Sequence, residues 1–439
     1  MKHKNSFFFK TLLTIKIFKL IFLFFTIIFG PILFRLIRLY LSFDGFSYSF
    51  AFIPFHFQIY GENLTNYCSQ FSFYSYHPIE KNLSLLPPQS EIAIHSPNLE
   101  NVYEPILYGE KFEDYPPLNL DHYKKLFWNQ TFHLRYYKDI FVTPSCALYY
   151  NHTYYVQMAQ EPPPNNSFIY FVNAENIIAI SHIHIFVYGH ALIDLYPNFM
   201  VVPKYILDKS YVPLKSYNSF MPPLFESIGF PRERTLVLAQ ELYMIFSPNV
   251  YIFKERNKMY PKPFYYNAFI KKIAEHFHLR QKAPHLYFLA NRNPDENRFL
   301  TNFDEIIKIV RSKYPNYKFE KCPHLSATKD YIILLDKVKL MWGVHTSFLF
   351  NMAYMQPKTV ICELQCNFYL PNTNTMNENW NNLLYFSLAL GLKVVFGRDM
   401  NIIWLEKKQR GKPQIAIDMI GIGLKYLESL PPDTFPCNI

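Results

Sequence analysis

The chain has 439 residues, half of them hydrophobic, which excludes intrinsic disorder and exceeds what one ordinary core can hold. Its net charge of +10 is concentrated: Lys2, Lys4, Lys10, Lys16, Lys19, Arg35 and Arg38 all fall in the first 41 residues, which contain no acid. The rest of the chain is left near +3, with no basic stripe of the kind a nucleic-acid surface needs. With 43 Phe and 35 Tyr against 12 Gly, glycine-based motifs are expected in altered form.

Residues 17–41 contain the run LIFLFFTIIFGPILF, uncharged over 20–34. It is short for a full span, but Lys16, Lys19, Arg35 and Arg38 can snorkel and let flanking Ile and Leu residues extend it. Five Lys precede the run and two Arg follow it, which keeps residues 1–16 cytoplasmic and sends the body across the membrane. A cleaved signal peptide is the rival reading; no small-x-small site follows the run, which favours an uncleaved anchor. Five sequons agree with a lumenal body, at Asn63, Asn82, Asn129, Asn151 and Asn165. The six cysteines (68, 146, 322, 362, 366 and 437) all follow the anchor and permit up to three disulfides. Cys362 and Cys366 have a metal-like spacing, but no second Cys/His pair sits nearby and no metal is assigned.

Residues 42–100 are poorly periodic and read as a stem and lead-in. Residues 131–160 alternate in strand fashion (FHLRYY, DIFVTP, YYVQMA), and Pro162, Pro163 and Pro164 mark a loop. Residues 176–184 read as a buried strand. The following HIFVYGHALIDLYPNFMVV enters a helix whose core face is Ile193, Tyr196, Phe199 and Met200. Strands are expected at 211–214 and 234–238, with a helix at 224–228 between them; a helix at 264–277 leads into the second half. There, 285–290 is an apolar strand, 291–298 a polar loop and 303–313 an amphipathic helix with Asn302 or Asp304 near its start. Residues 317–320 are a strand. Residues 338–342 are the next, with Gly343 opening a turn that carries His345, Thr346 and Ser347. Phe348, Leu349, Met352 and Met355 recur at helical spacing, Pro357 stops that helix, and 359–362 is a strand ending in Glu363. Residues 416–427 read as a last amphipathic helix. Strands alternating with helices point to a parallel, doubly wound α/β sheet, and the N-terminal half shows a similar alternation.

Three clusters could carry chemistry. His190 and Asp194 lie four apart on one helix face, where either could act as general base or Asp194 could orient His190; the bland alternative is a satisfied His beside a surface Asp. Arg292 and Arg298 directly follow a strand, where guanidinium forks suit a diphosphate. The turn at His345, Thr346 and Ser347 offers backbone amides to an anion, and Glu363 is placed for sugar hydroxyls. The chain contains no Asp-x-Asp pair, so Arg side chains and a helix dipole, not a bound metal, are expected to stabilise a leaving group. It has no P-loop, G-x-G-x-x-G or G-x-S-x-G either.

Three stretches, in order, resemble glycosyltransferase family 61, which includes plant xylosyl- and arabinosyltransferases and the EGF-domain-specific O-GlcNAc transferase. YGHALIDLYPNF is similar to the family's GHxLxDxLPR segment. YFLANRNPDENRFLTNFDEIIKIV is similar to its arginine-bearing strand–loop–helix segment. WGVHTSFLFNMAYMQPKTVICEL is similar to its GxHGAxLxNxxFxxPgxxviEl segment. The resemblance implies a GT-B fold, α/β with two Rossmann-like domains facing a cleft, preceded by one transmembrane helix. It implies a stem at 42–100, an acceptor-side domain at 101–265, a nucleotide-sugar domain at 266–415 and a C-terminal helix and tail at 416–439. The activity it implies is inverting transfer of xylose, GlcNAc or arabinose from a UDP-sugar to a glycan or glycoprotein, in the Golgi or endoplasmic reticulum membrane, with no cofactor required. Carried over by position, Arg292 and Arg298 would contact the diphosphate, His345, Thr346 and Ser347 would sit at the phosphates, Asn351 would support the helix, Glu363 would hold the ribose or uracil side, and His190 and Asp194 would line the cleft. The chain departs from the family at His345-Thr-Ser, where the family has His-Gly-Ala. That leaves two rival readings: an inactive, membrane-anchored glycan-binding or scaffold protein, and a GDP-sugar-using GT-B enzyme.

Overall fold

A computed structural model describes residues 79–96, 106–109, 131–150, 153–156, 170–181, 183–238, 243–254, 263–325, 327–367, 382–403 and 406–435. The expected anchor at 17–41 and the sequons at Asn63, Asn129, Asn151 and Asn165 lie outside them. Among the described residues no helix is long and apolar enough to cross a membrane.

The first half is rich in strands: β1 (Ile79–Asn82), β2 (Ser90–His95), β3 (Ile106–Gly109), β4 (Thr131–Tyr137), β5 (Ile140–Val142), β6 (Leu148–Tyr150), β7 (Thr153–Val156), β8 (Tyr170–Asn173), β9 (Asn176–Ala179), β10 (Val212–Leu214), β11 (Thr235–Val237), β12 (Tyr243–Ser247) and β13 (Asn249–Phe253). They form a six-stranded sheet in the order β1-β7-β6-β5-β12-β8 and a four-stranded one in the order β2-β4-β13-β9. β10 and β11 pair in parallel, and a bridge from Ile177 to Tyr211 joins them to β9. Between β9 and β10 lie a 3-10 turn (Ile183–Phe186), helix α1 (Tyr188–His190), a π segment (Ala191–Leu195), α2 (Tyr196–Val201) and α3 (Lys204–Leu207); α4 (Met221–Ser227) precedes β11.

The alternation expected of this half is met in part: β9, β10 and β11 alternate with helices, and β1–β7, β8–β12 and β9–β13 also pair in parallel. β5, β6 and β7 pair antiparallel instead, because their connections are too short for a crossover. The strand expected over 176–184 ends at Ala179. The stretch read as stem and lead-in contributes β1 and β2 to the two sheets.

Helix α5 (Pro263–His276) begins the second half, with proline in its first turn as expected. There follow β14 (Leu286–Ala290), α6 (Phe303–Lys313), β15 (Phe319–Lys321), α7 (Thr328–Leu335), β16 (Val338–Val344), a 3-10 helix (Ser347–Tyr354), β17 (Val360–Asn367), α8 (Asn382–Ala389), β18 (Lys393–Ile403) and α9 (Pro413–Glu428). The sheet is wholly parallel, in the order β15-β14-β16-β17-β18-β3. Its edge strand β3 comes from the first half of the chain.

Phe303, Ile306, Ile307 and Val310 of α6 pack with Ile415, Met419, Ile420 and Leu424 of α9 on one face of this sheet. The 3-10 helix, α7 and α8 lie against the other, in a core that also takes in α2, α4 and α5. α5 links the halves: Phe269 stacks on Tyr196 of α2 with centroids 5.1 Å apart, and Tyr266 meets Phe386 of α8 edge-on at 4.5 Å. Residues Ile53–Ile439 accordingly form one compact unit.

Three local expectations are corrected. Asn302 takes the N-cap position of α6 but its side chain does not bond the helix amides; it donates to the Gly411 carbonyl at 2.8 Å and accepts from the Gly411 amide, tying α6 to the lead-in of α9. Gly343 is an interior residue of β16, not the turn. Cys322, Cys362 and Cys366 are buried free thiols, so the six cysteines do not make three bridges.

Candidate functional site

The chain leaves β14 toward β15 on one side and returns to place β16 on the other. Strand order thus reverses between β14 and β16, and in open α/β sheets the crevice beyond the carboxyl ends of strands at such a point is where ligands collect. The two connections that flank it are the 291–298 loop after β14 and the His345–Ser347 turn after β16.

The first loop is braced from within. Asn291 donates to the Leu300 carbonyl at 2.9 Å and accepts from the Leu300 amide at 3.0 Å, closing the loop at its base. Glu296 holds Nε of Arg292 at 3.1 Å and the Asn293 amide at 3.2 Å. Arg298 adopts φ +64° and donates its amide to the Glu406 carbonyl. The residue is 7 % exposed; burial, then repulsion from Arg292, pulls its guanidinium down to about 10, opposed by Cys366 and Glu296.

In the turn, Thr346 has φ −158°, extended backbone open to any residue, so glycine is not required there. Its hydroxyl accepts the Phe348 amide at 2.8 Å and caps the helix that follows. That helix is 3-10, with buried Leu349 and Met352 and with buried Met355 just past its end, and Asn351 braces it by donating to the Phe348 carbonyl at 2.8 Å. Of the amides expected for an anion, that of His345 already goes to the Leu364 carbonyl and that of Phe348 to Thr346.

Glu363 lies within β17, not at its end, and is fully buried. Its Oε1 pairs with Nδ1 of His345 and accepts from Nε2 of Gln365. Oε1 is thus engaged inside the sheet edge, while Oε2 is buried with no hydrogen-bond partner among the described residues.

The His190–Asp194 segment docks on the helix that follows the His345 turn. The hydroxyls of Tyr188 and Tyr354 meet at 2.7 Å, and Gly189 lies so close to the Phe350 ring that a Cβ there would stand 2.8 Å from Cδ2. His190 and Asp194 meet as their spacing predicts, Nδ1 to Oδ2 at 3.0 Å, with the His184 ring 5.3 Å from that of His190. The helix between them widens into the π segment, a distortion that concentrates at functional sites.

Sequence reasoning missed Arg398 and Gln365. They are register partners on β18 and β17, 3 % and 0 % exposed, and the charges of Arg298 and Arg398 both act on Cys366 beside them. The signal existed: KVVF followed by Gly-Arg-Asp is an apolar strand running into an arginine, the pattern that exposed Arg292. Among the described residues no group of three or more His, Cys, Asp or Glu is placed to hold a metal.

The switch point is thus flanked by the arginine-bearing loop after β14 and the capped turn after β16, and the His190–Asp194 segment packs against the helix that follows that turn. Residues 188–362 match the Glycosyltransferase 61 family model, so this segment is similar to glycosyltransferase family 61. The match runs from the start of α1 into β17 and takes in every candidate catalytic and donor residue except Glu363, one position beyond its end. No curated protein sequence matches the chain.

Proposed function

We propose that the chain is an inverting glycosyltransferase that moves xylose, GlcNAc or arabinose from a UDP-sugar to a glycan or glycoprotein. The observation that carries this reading is the convergence of Arg292, Arg298 and the His345–Ser347 turn on the switch point. There the guanidinium groups and the amides of Thr346 and Ser347 neutralise the departing diphosphate. Asp194 accepts Nδ1–H of His190, which leaves Nε2 to take the proton of the acceptor hydroxyl. The freed oxygen attacks the anomeric carbon as the bond to the UDP oxygen breaks, inverting that centre. The GT-B division at 101–265 and 266–415, the membrane anchor at 17–41 and a lumenal body in the Golgi or endoplasmic reticulum complete the proposal. The exposed Asn82 of the sequon at the end of β1 is consistent with a lumenal body.

The deciding experiment is a screen of UDP- and GDP-sugars for nucleotide release by the full chain, with Arg298→Ala as control. UDP release from one sugar, abolished in a folded Arg298→Ala protein, is the expected result; release unchanged in that variant overturns the site. UDP binding without turnover would point to the glycan-binding alternative, and release from GDP-sugars alone to the GDP-using one.

A further inference from the structure

We infer that Glu363 is a positioning residue that acts through His345, not a ligand of the donor's ribose; this rests on the transferase reading above.

The backbone sets the arrangement. β16 and β17 pair in parallel with Gly343 opposite Glu363 and Val344 opposite Leu364, and the His345 amide extends the ladder to the Leu364 carbonyl at 2.9 Å. Glu363 and Gln365, two apart on a strand, point to one face, the face that receives the His345 ring. A single Glu363 oxygen, Oε1, takes both neighbours.

The proton count follows. The Gln365 amide nitrogen, which can only donate, gives a hydrogen to Oε1 of Glu363 and lies 3.2 Å from Nδ1 of His345. A carboxylate only accepts, so the hydrogen between it and His345 sits on Nδ1, and a substrate is met by Nε2. Glu363 is fully buried and His345 is 7 % exposed, so a ligand meets the imidazole and not the acid behind it. Among the described residues, Arg298 from the loop after β14 and Arg398 of β18 bring charge to this edge, where both act on Cys366 of β17 together with Glu363. The histidine thus contacts the leaving diphosphate in an orientation and tautomer fixed by an acid that never touches substrate, and losing such an orienting acid costs turnover even when geometry survives.

The test is a double-mutant cycle in the full chain with Glu363→Gln, His345→Ala and the pair, reading kcat and KM for release of UDP from the sugar the screen identifies. Glu363→Gln should lower kcat roughly 10²- to 10⁴-fold with KM changed less than about threefold, and should add nothing in the His345→Ala background. Multiplying losses, or a rise in KM at unchanged kcat, would overturn the inference and return Glu363 to the ribose. A second measurement needs neither variant folding nor turnover. In wild-type protein with ¹⁵N-labelled histidine, the His345 signal should show a protonated Nδ1, and a bare Nδ1 overturns the dyad. A wild-type chain that releases no UDP would sink the transferase reading while the Nδ1 result still decides the pairing.

Discussion

Arg298 shows how the site and the stability of the fold are opposed. Its guanidinium is held at about 10, below its ordinary value, by burial and by Arg292. Between those two values the unfolded chain binds the proton more tightly than the folded one. The destabilisation is therefore complete at every pH below about 10 and is relieved as pH rises through it. Arg298→Met should raise the melting temperature at pH 7 by the equivalent of about 1–3 kcal/mol while abolishing nucleotide release; a lower melting temperature would show that the arginine holds the loop together. Thr346→Ala removes the hydroxyl that caps the 3-10 helix and should cost about 1 kcal/mol, read from denaturant midpoints. At this scale the sequence placed Arg292, Arg298 and His345 in connections that follow apolar strands, and they lie after β14 and β16. It was silent on Glu363 and Gln365 as partners of His345. Those contacts exist only once β16 and β17 lie side by side, and nothing in the local pattern distinguishes an acid that points at a ligand from one that points at a neighbour.

At the scale of elements, the docking of α1 on the 3-10 helix brings the His190–Asp194 pair to the same body as the His345 turn. Gly189→Ala sets a methyl against the buried Phe350 ring and should destabilise the protein by roughly 1–3 kcal/mol. It should also lower turnover, because the Tyr188–Tyr354 contact must shift with it. Retained stability and full activity would show that the ring gives way freely. On the opposite face of the sheet, Gly423 lets α9 approach Val360 and Leu340, where an added Cβ would stand 2.9 and 3.0 Å from their methyls. Hydrophobic periodicity revealed α6 to the residue and the body of α9, which begins three residues before the expected 416. It misjudged the segment after His345, since a buried stretch of eight residues with apolar positions three and four apart is compatible with either helix type. It also gave no warning that residues 140–156 would pair as hairpins, because alternation fixes a strand's faces but not the direction of its neighbour.

For the whole molecule, the length of the chain and the alternation of its second half gave the α/β class and the parallel sheet. They did not give the core that α5 carries from Tyr196 and Phe225 to Phe288 and Phe396. With that core shared, the two halves should unfold together. Calorimetry is expected to show one transition for residues Ile53–Ile439, and two well-separated transitions would mean that the halves are thermodynamically independent. The placement of β3 bears on biosynthesis. Ile106–Gly109 is made early, yet its partner, Val395–Arg398, comes nearly three hundred residues later. At ordinary elongation rates that is a wait on the order of 15–60 s, during which an edge strand has no sheet to join. The sheet that holds Arg298, His345 and Arg398 is completed only when the growing polypeptide loops back on one of its earliest segments. Assembly of the site is thus postponed until most of the protein has left the ribosome.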